Sequence, residues 1–565
     1  MKKLRWQLLV VLVALIAIGF LLLGQQQTLL EIGQPEVAPL EGGIYTEALI
    51  GSPGRFNPIL DYYNSVDRDI DRLVFSSMIR FDHRGLPQGD LVDSWGVSQD
   101  GKTFSFSIRP EAFWHDGQPV VSEDIVFTVG LLSHDKVPLP ADLRSFWKQV
   151  KVSVLNEKTL QFILPEPFAP FLDYLTFGIL PSHLLKDLSV EELINSSYNL
   201  KPVGSGPYRL ADLTLENDQI AGVVLSAFDQ YYGKKPFISQ INFRYYPDSA
   251  SALSAYRDEK VMGISQVTTD VLPELLKEPK LNLFTSRMPG VTMIFLNLNS
   301  PRLPFLQDAQ LRRALLMSIN RRWIVERLMG GQAIMANGPI FPESWAYYDG
   351  MPTVEYSVED AIAILKKAEY TIPAEGGSVR VKDEVSLEFE MVCPDEEPYP
   401  AIAEQIRSDW ARLGVKVNIK TVAYNDLLKK YLEPRSYDAA LVELNFSRSP
   451  DPDPYPFWHQ SQKTNGQNYS GWDDRQVSEY LEQARVTDDY NERIKRYRNF
   501  QVRFASELPA LPLYYPVYTY AVDTQVKGIS MGPLFEPSDR FFNLVYWYLV
   551  SGISRPETQT TTPSP

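Results

Sequence analysis

Between Leu91 and Val129 the chain reads LVDSWGVSQDGKTFSFSIRPEAFWHDGQPVVSEDIVFTV, and no other stretch constrains the fold as tightly. Phe104, Phe106 and Ile108 alternate with Thr103, Ser105 and Ser107, which is the two-residue period of a half-buried strand. Asp100-Gly101 before it and His115-Asp116-Gly117 after it carry turn chemistry. Ser122 precedes Glu123, Asp124 and the apolar Ile125, Val126, Phe127 and Val129. It is therefore predicted to cap a helix whose dipole favours acids in its first turn. A chain of 565 residues needs two or three such packed units rather than one core.

In order and wording this stretch resembles the signature region of the family 5 solute-binding proteins of ABC transporters, a peptide-binding family. Ser94, Trp95, Ser98, Asp100, Gly101, Phe104, Phe106, Arg109, Trp114, Asp116, Gly117, Pro119 and Asp124 all fall in register with it. Trp95 and the phenylalanine stripe build the fold and need never touch a ligand. The resemblance implies an α/β, periplasmic-binding-protein-like, two-lobed fold of type II and cluster C-like, with an extra domain inserted in lobe I. The implied boundaries are lobe I at 42–68, 203–290 and 515–550, the inserted subdomain at 69–202, and lobe II at 291–514.

The N-terminus carries Lys2, Lys3 and Arg5, then an apolar run from Leu8 to Leu23. A basic start before an apolar core begins an export signal and places the body outside the cytoplasm. The run is near the lower limit for a span, about 17 residues, and no small-x-small cleavage site follows. An uncleaved anchor (1–24) is favoured over a cleaved signal peptide, with a spacer at 25–41 and a disordered Thr/Pro-rich tail at 551–565. The single cysteine, Cys393, lies far downstream, which excludes lipidation after the apolar run and an internal disulfide. A net charge of -15 argues against nucleic acid as a partner.

Along the body, Ile44, Thr46 and Ala48 alternate with Tyr45, Glu47 and Leu49 as a first strand, and a helix is expected through Asp69 to Met78. Gly204 and Gly206, in the motif Pro202 to Tyr208, are read as a tight turn using positive φ. Met288 to Asn299 and Leu508 to Val522 resemble the family's two crossings between lobes, which implies a hinge and a closing cleft. Ile402, Ile406, Trp410 and Leu413 form a helical face stopped by Gly414 ahead of a strand through Val415 to Thr421, one step of an α/β lobe.

Ligand specificity is expected from Tyr437 to Trp458, YDAALVELNFSRSPDPDPYPFW. In peptide-binding members an aspartate of this loop pairs with the ligand's amino terminus. Alignment on Asp451-Pro452-Asp453 puts Arg448 in that place, where a guanidinium attracts a carboxylate or polar oxygen instead; Arg448 could also face solvent or pair with either aspartate. Trp458, Tyr455 and Trp345 are candidates to stack on sugar rings or line a peptide channel, with core packing as the alternative. Tyr45 and Asn57 enter through the resemblance, since the loop after the first strand faces the cleft there; an Asn before proline is also an ordinary turn initiator. Asp451 and Asp453 suit turn chemistry better than calcium or acid–base work.

The resulting expectation is an extracytoplasmic receptor, attached to the membrane through its N-terminal helix, that hands peptide to ABC permease subunits. Oligosaccharide is the alternative solute. No cofactor or metal is implied, and scattered histidines at 83, 115, 134, 183 and 459 disfavour nickel. A surface hydrolase is the competing class, against which stands the lack of GxSxG, HExxH and Cys–His patterns.

Overall fold

The computed structural model describes residues 39, 41–82, 85–446 and 450–550. The chain divides into two units, 1–41 and 42–565, and everything below belongs to the second. The expected anchor, most of the spacer, the tail and Arg448 lie outside the described residues. No helix among the described residues is long and apolar enough to cross a membrane.

The body is mixed α/β with two large hydrophobic cores. One gathers residues such as Ile70, Phe106, Phe243 and Trp547; the other gathers Ile294, Trp410, Leu441 and Phe504. Each surrounds its own part of a single mixed sheet. In the first lobe, Ile44–Ile50 runs parallel to Gln240–Tyr246 and to Gly263–Ile264. In the second, Glu388–Pro394 runs parallel to Lys416–Val422 and Ala439–Asn445. The helix Tyr399–Ala411 links the first two of these, and Gly414 at φ +81° turns the chain between helix and strand.

The strand Ala510–Asp523 joins the lobes. Its second half pairs with Leu281–Arg287 in the first lobe, and its first half pairs with Gly290–Leu296 in the second. The connection is therefore two antiparallel segments lying side by side. Pro289 and Pro516 sit at the crossing, where each removes a ladder donor and loosens the sheet locally. Two adjacent strands with an interrupted ladder make a narrow hinge.

Within the first lobe a four-stranded antiparallel sheet, Val92–Val97, Thr103–Ile108, Thr159–Ile163 and Lys151–Asn156 in spatial order, buries Phe104, Phe106 and Ile108 as the alternation predicts. The helix Ser122–Leu132 begins one residue earlier than expected. Its cap residue is Val121, and Ser122 instead donates to the Asn156 carbonyl (2.9 Å). The capping work falls to Asp124, whose carboxylate accepts from Val121 N (2.9 Å), Trp114 Nε1 (3.1 Å), Ser182 N (2.8 Å) and Ser182 Oγ (2.6 Å).

The helix expected over Asp69 to Met78 occupies Ser65–Val74 instead. Asn64 starts it, accepting from Val66 N and Asp67 N, and the chain turns extended at Phe75. Gly204 and Gly206 are corrected too: neither has positive φ. Gly204 lies against the end of this helix, where a Cβ would sit 1.9 Å from the Val74 carbonyl oxygen. Close approach of backbones, not a turn conformation, is what requires glycine there.

The C-terminal segment around Arg540 returns to the first strand. Arg540, fully buried, donates Nε and Nη2 to Glu47 Oε1 (3.0 and 2.7 Å), and Nη1 and Nη2 to Asp69 (2.7 and 2.8 Å). Glu47 Oε2 takes the hydroxyls of Tyr45 (2.7 Å) and Tyr520 (2.6 Å). One cation thus ties the first strand, the helix Ser65–Val74 and the C-terminal segment together. Arg540→Ala leaves two buried carboxylates unpaired and is expected to cost about 3–5 kcal/mol, read as a lowered midpoint in urea denaturation. An unchanged midpoint would contradict this role.

Candidate functional site

A cavity of about 1790 Å³ lies between the lobes. Its first-lobe wall includes Tyr62, Phe146 and Tyr231; its second-lobe wall includes Arg435, Gln467 and Tyr469. Aromatic faces in both walls, with amides in the second-lobe wall, suit a ligand with both apolar and hydrogen-bonding surface.

The loop after the strand Ala439–Asn445 reaches this cavity through Asp453 and Tyr455, which line it. Asp453 receives a two-pronged bond from Arg485, Nε at 3.0 Å and Nη2 at 2.7 Å to Oδ2. Burial works against the charge on Arg485, and Asp453 beside it more than offsets this, so its pKa is raised. Tyr455 stacks on His459 at 4.1 Å between ring centres and carries the Arg485 guanidinium 4.1 Å over its face.

The other expected site residues lie elsewhere in the packing. Asp451 is buried; it pairs with Arg493 and accepts from Tyr497 Oη (3.0 Å) and Asp453 N (3.0 Å). Trp458 is buried and stacked on Phe295 at 5.6 Å, in the core of the second lobe. Trp345 packs against Tyr490 at 4.4 Å beneath the Arg493 guanidinium. Tyr45 belongs to the Arg540 cluster, and buried Asn57 donates to Asn199 Oδ1 (2.9 Å) while accepting from Ile59 N. Asp453 and Tyr455 are thus brought together at the cavity, whereas Tyr45, Asn57, Trp345, Asp451 and Trp458 are not among its lining residues.

Sequence reasoning missed the arginines that organise this loop. Arg493 had a readable signal: on the helix Tyr490–Glu507 it shares the buried stripe of Tyr497, Phe500 and Phe504. A cation in an apolar stripe requires a buried partner. Arg485, near the end of the helix Arg475–Val486, had none.

The first-lobe wall holds a further group of acids. Asp71 is buried with no hydrogen-bond partner for either oxygen among the described residues, the nearby Asn57 N–H being turned to the Arg55 carbonyl (2.9 Å). Burial, then the neighbouring Asp61 and Asp67, push its carboxyl well above the usual range. Burial also lifts Asp67 to about 6, against N–H bonds from Gly54 and Arg55. No metal-binding cluster of His, Cys, Asp and Glu exists among the described residues.

The lobes touch along one edge of the cavity. Asp451 N, from the second lobe, donates to Asp173 Oδ2 of the first (2.9 Å). The Arg485 guanidinium lies 5.3 Å over the Phe168 ring, so it is held between one ring from each lobe. Gly85 packs against Pro450 and Trp345 beside them. The loop read as the ligand's contact thus also contacts the other lobe. Asp173→Ala removes a charge-assisted interlobe bond of about 1.5–3 kcal/mol. The expected result is a more open particle with a larger radius of gyration by small-angle scattering; an unaltered radius would mean the seam does not hold the lobes.

Residues 87–467 match the model of the bacterial extracellular solute-binding proteins, family 5. The chain is 26% identical over 510 residues to the dipeptide-binding protein of Escherichia coli, covering 86% of this chain and 91% of that one. It is 23% identical to the oligopeptide-binding protein AppA of Bacillus subtilis, covering 90% and 92%. Among solved structures, HbpA2 from Haemophilus parasuis superimposes with a TM-score of 0.78 at 20% identity, covering 90% of this chain and all of that one. AppA in complex with a nonapeptide gives 0.68 at 22% identity, over 91% of this chain and 100% of that chain. The family match spans most of the chain, and the fold and interlobe cavity agree with it: this chain belongs to the family 5 extracellular solute-binding proteins.

Proposed function

We propose that this protein is the receptor of an ABC transporter, capturing peptides between its lobes and delivering them to permease subunits. The observation that carries this reading is a large cavity walled by two lobes that two adjacent strands join. The names of the relatives, dipeptide- and oligopeptide-binding, support peptide as the solute class. The mechanism is binding without chemistry. A peptide held first by one lobe gains contacts with the other on closure, and that differential affinity shifts the hinge equilibrium.

The N-terminal apolar run then acts as an uncleaved membrane anchor that holds the body outside the cytoplasm, with the domain boundaries given by the resemblance. Asp453 and Tyr455 are proposed as second-lobe ligand contacts. Arg448, by its place in the sequence, is proposed to meet a carboxylate or polar oxygen of the ligand.

Native mass spectrometry on the chain purified without added ligand tests the reading. Retained masses forming a peptide series, and saturable peptide binding without turnover, are expected. Hexose spacing would move the solute to oligosaccharides, and turnover of bound peptide would replace the receptor reading with a hydrolase.

A further inference from the structure

The helix Ser65–Val74 carries charged residues at Asp67, Arg68, Asp69, Asp71 and Arg72, and four of them have clear partners. Asp69 meets Arg540 (2.7 Å), Arg72 meets Asp539 (3.0 Å), and Arg68 meets Glu536 (3.3 Å) and Asp61 (3.7 Å). Asp67 accepts from the Gly54 and Arg55 N–H groups, each at 2.8 Å. Asp71 is the exception. It is 3% exposed, and neither carboxylate oxygen has a hydrogen-bond partner among the described residues.

The protein supplies this acid with no counter-charge of its own. Asp61 and Asp67 add negative charge beside it, and Arg68, the cation that acts on it, is committed to Glu536 and Asp61. The Asn57 N–H is turned to the Arg55 carbonyl (2.9 Å). Tyr198 and Tyr245 feel the charge of Asp71 from the segments Ser197–Leu200 and Gln240–Tyr246. Neither phenol neutralises it: Tyr198 donates to the Val203 carbonyl (2.8 Å), and the Tyr245 hydroxyl is buried without a partner. The other cavity charges at Arg80, Lys234, Asp142 and Glu433 are not among the main influences on this carboxyl.

An ionised carboxylate buried in this way is costly without a cation. One side of Asp71 is the interlobe cavity, which it lines with Pro58, Asp61, Tyr62 and Arg68. A cation arriving there meets two carboxylates and a tyrosine ring. Resting on the receptor reading, we propose that Asp71, with Asp61 beside it, is a first-lobe subsite for a cationic group of the ligand, an ammonium or a guanidinium. It is separate from the second-lobe contacts proposed at Arg448, Asp453 and Tyr455. Burial and the neighbouring acids raise the Asp71 carboxyl, so the free receptor holds this proton to higher pH than an ordinary aspartate does. A bound cation favours the carboxylate and displaces the proton, so affinity for a cationic ligand rises with pH.

The test is a competition read by native mass spectrometry. The full chain, in detergent and exhaustively dialysed, is offered hexapeptide pools that are random among neutral residues. One pool is N-acetylated with a central lysine, one is N-acetylated with norleucine in its place, and one has norleucine and a free amino terminus. A cationic pool is expected to be retained at least about ten-fold over the neutral one, and which pool it is tells a side chain from the amino terminus. Asp71→Asn is expected to abolish that ratio while the neutral pool still binds. In the unaltered chain the ratio is expected to rise between about pH 5 and pH 7, by at most about ten-fold per unit. Equal retention of all pools, a ratio that survives in folded Asp71→Asn, or a ratio flat with pH would overturn the subsite and leave the receptor standing. Retention of no pool would overturn both.

Discussion

The pairing of Arg540 with Glu47 and Asp69 is the constraint on which the rest of the structure depends. It binds the C-terminal segment around Arg540 to the first strand, inside one lobe. Any intervening domain must then leave that lobe and return to it, and the chain does so through Leu281–Leu296 and Ala510–Asp523. Because the two passages are hydrogen-bonded neighbours, they act as one narrow ribbon. A hinge and a cleft follow from that pairing of the first strand with the segment around Arg540.

The cleft's chemistry is one of balance. Arg485 and Arg72 face carboxylates, and burial raises the Asp71 carboxyl well above its usual range. The seam at Asp173, Asp451, Arg485 and Phe168 adds an interlobe attraction independent of ligand. Ligand contacts then need supply only the remainder of the closing free energy.

Local architecture was legible in sequence wherever periodicity and burial coincide. The strand Thr103–Ile108 and the helix–glycine–strand step around Gly414 follow directly from their patterns. The cap at Val121 was not, because Asp124 is claimed by Trp114 and Ser182, the latter 58 residues away in sequence. Gly204 was misread for a similar reason: its need is set by the Val74 carbonyl, a neighbour that only the fold supplies. At the site, the loop after Asn445 was picked out by resemblance. The roles of Asp451 and Asp453 depend on Arg493 and Arg485, on two later helices, and no local pattern links them.

Capture between the lobes requires one ligand to be held by both. Hydrogen–deuterium exchange of the full chain, with and without a saturating random hexapeptide pool, reads this out. Slowed exchange is predicted in both Ala169–Leu175 of the first lobe and the segment 450–467 of the second. Protection confined to one lobe, or absent from both while peptide is bound, would contradict capture between them.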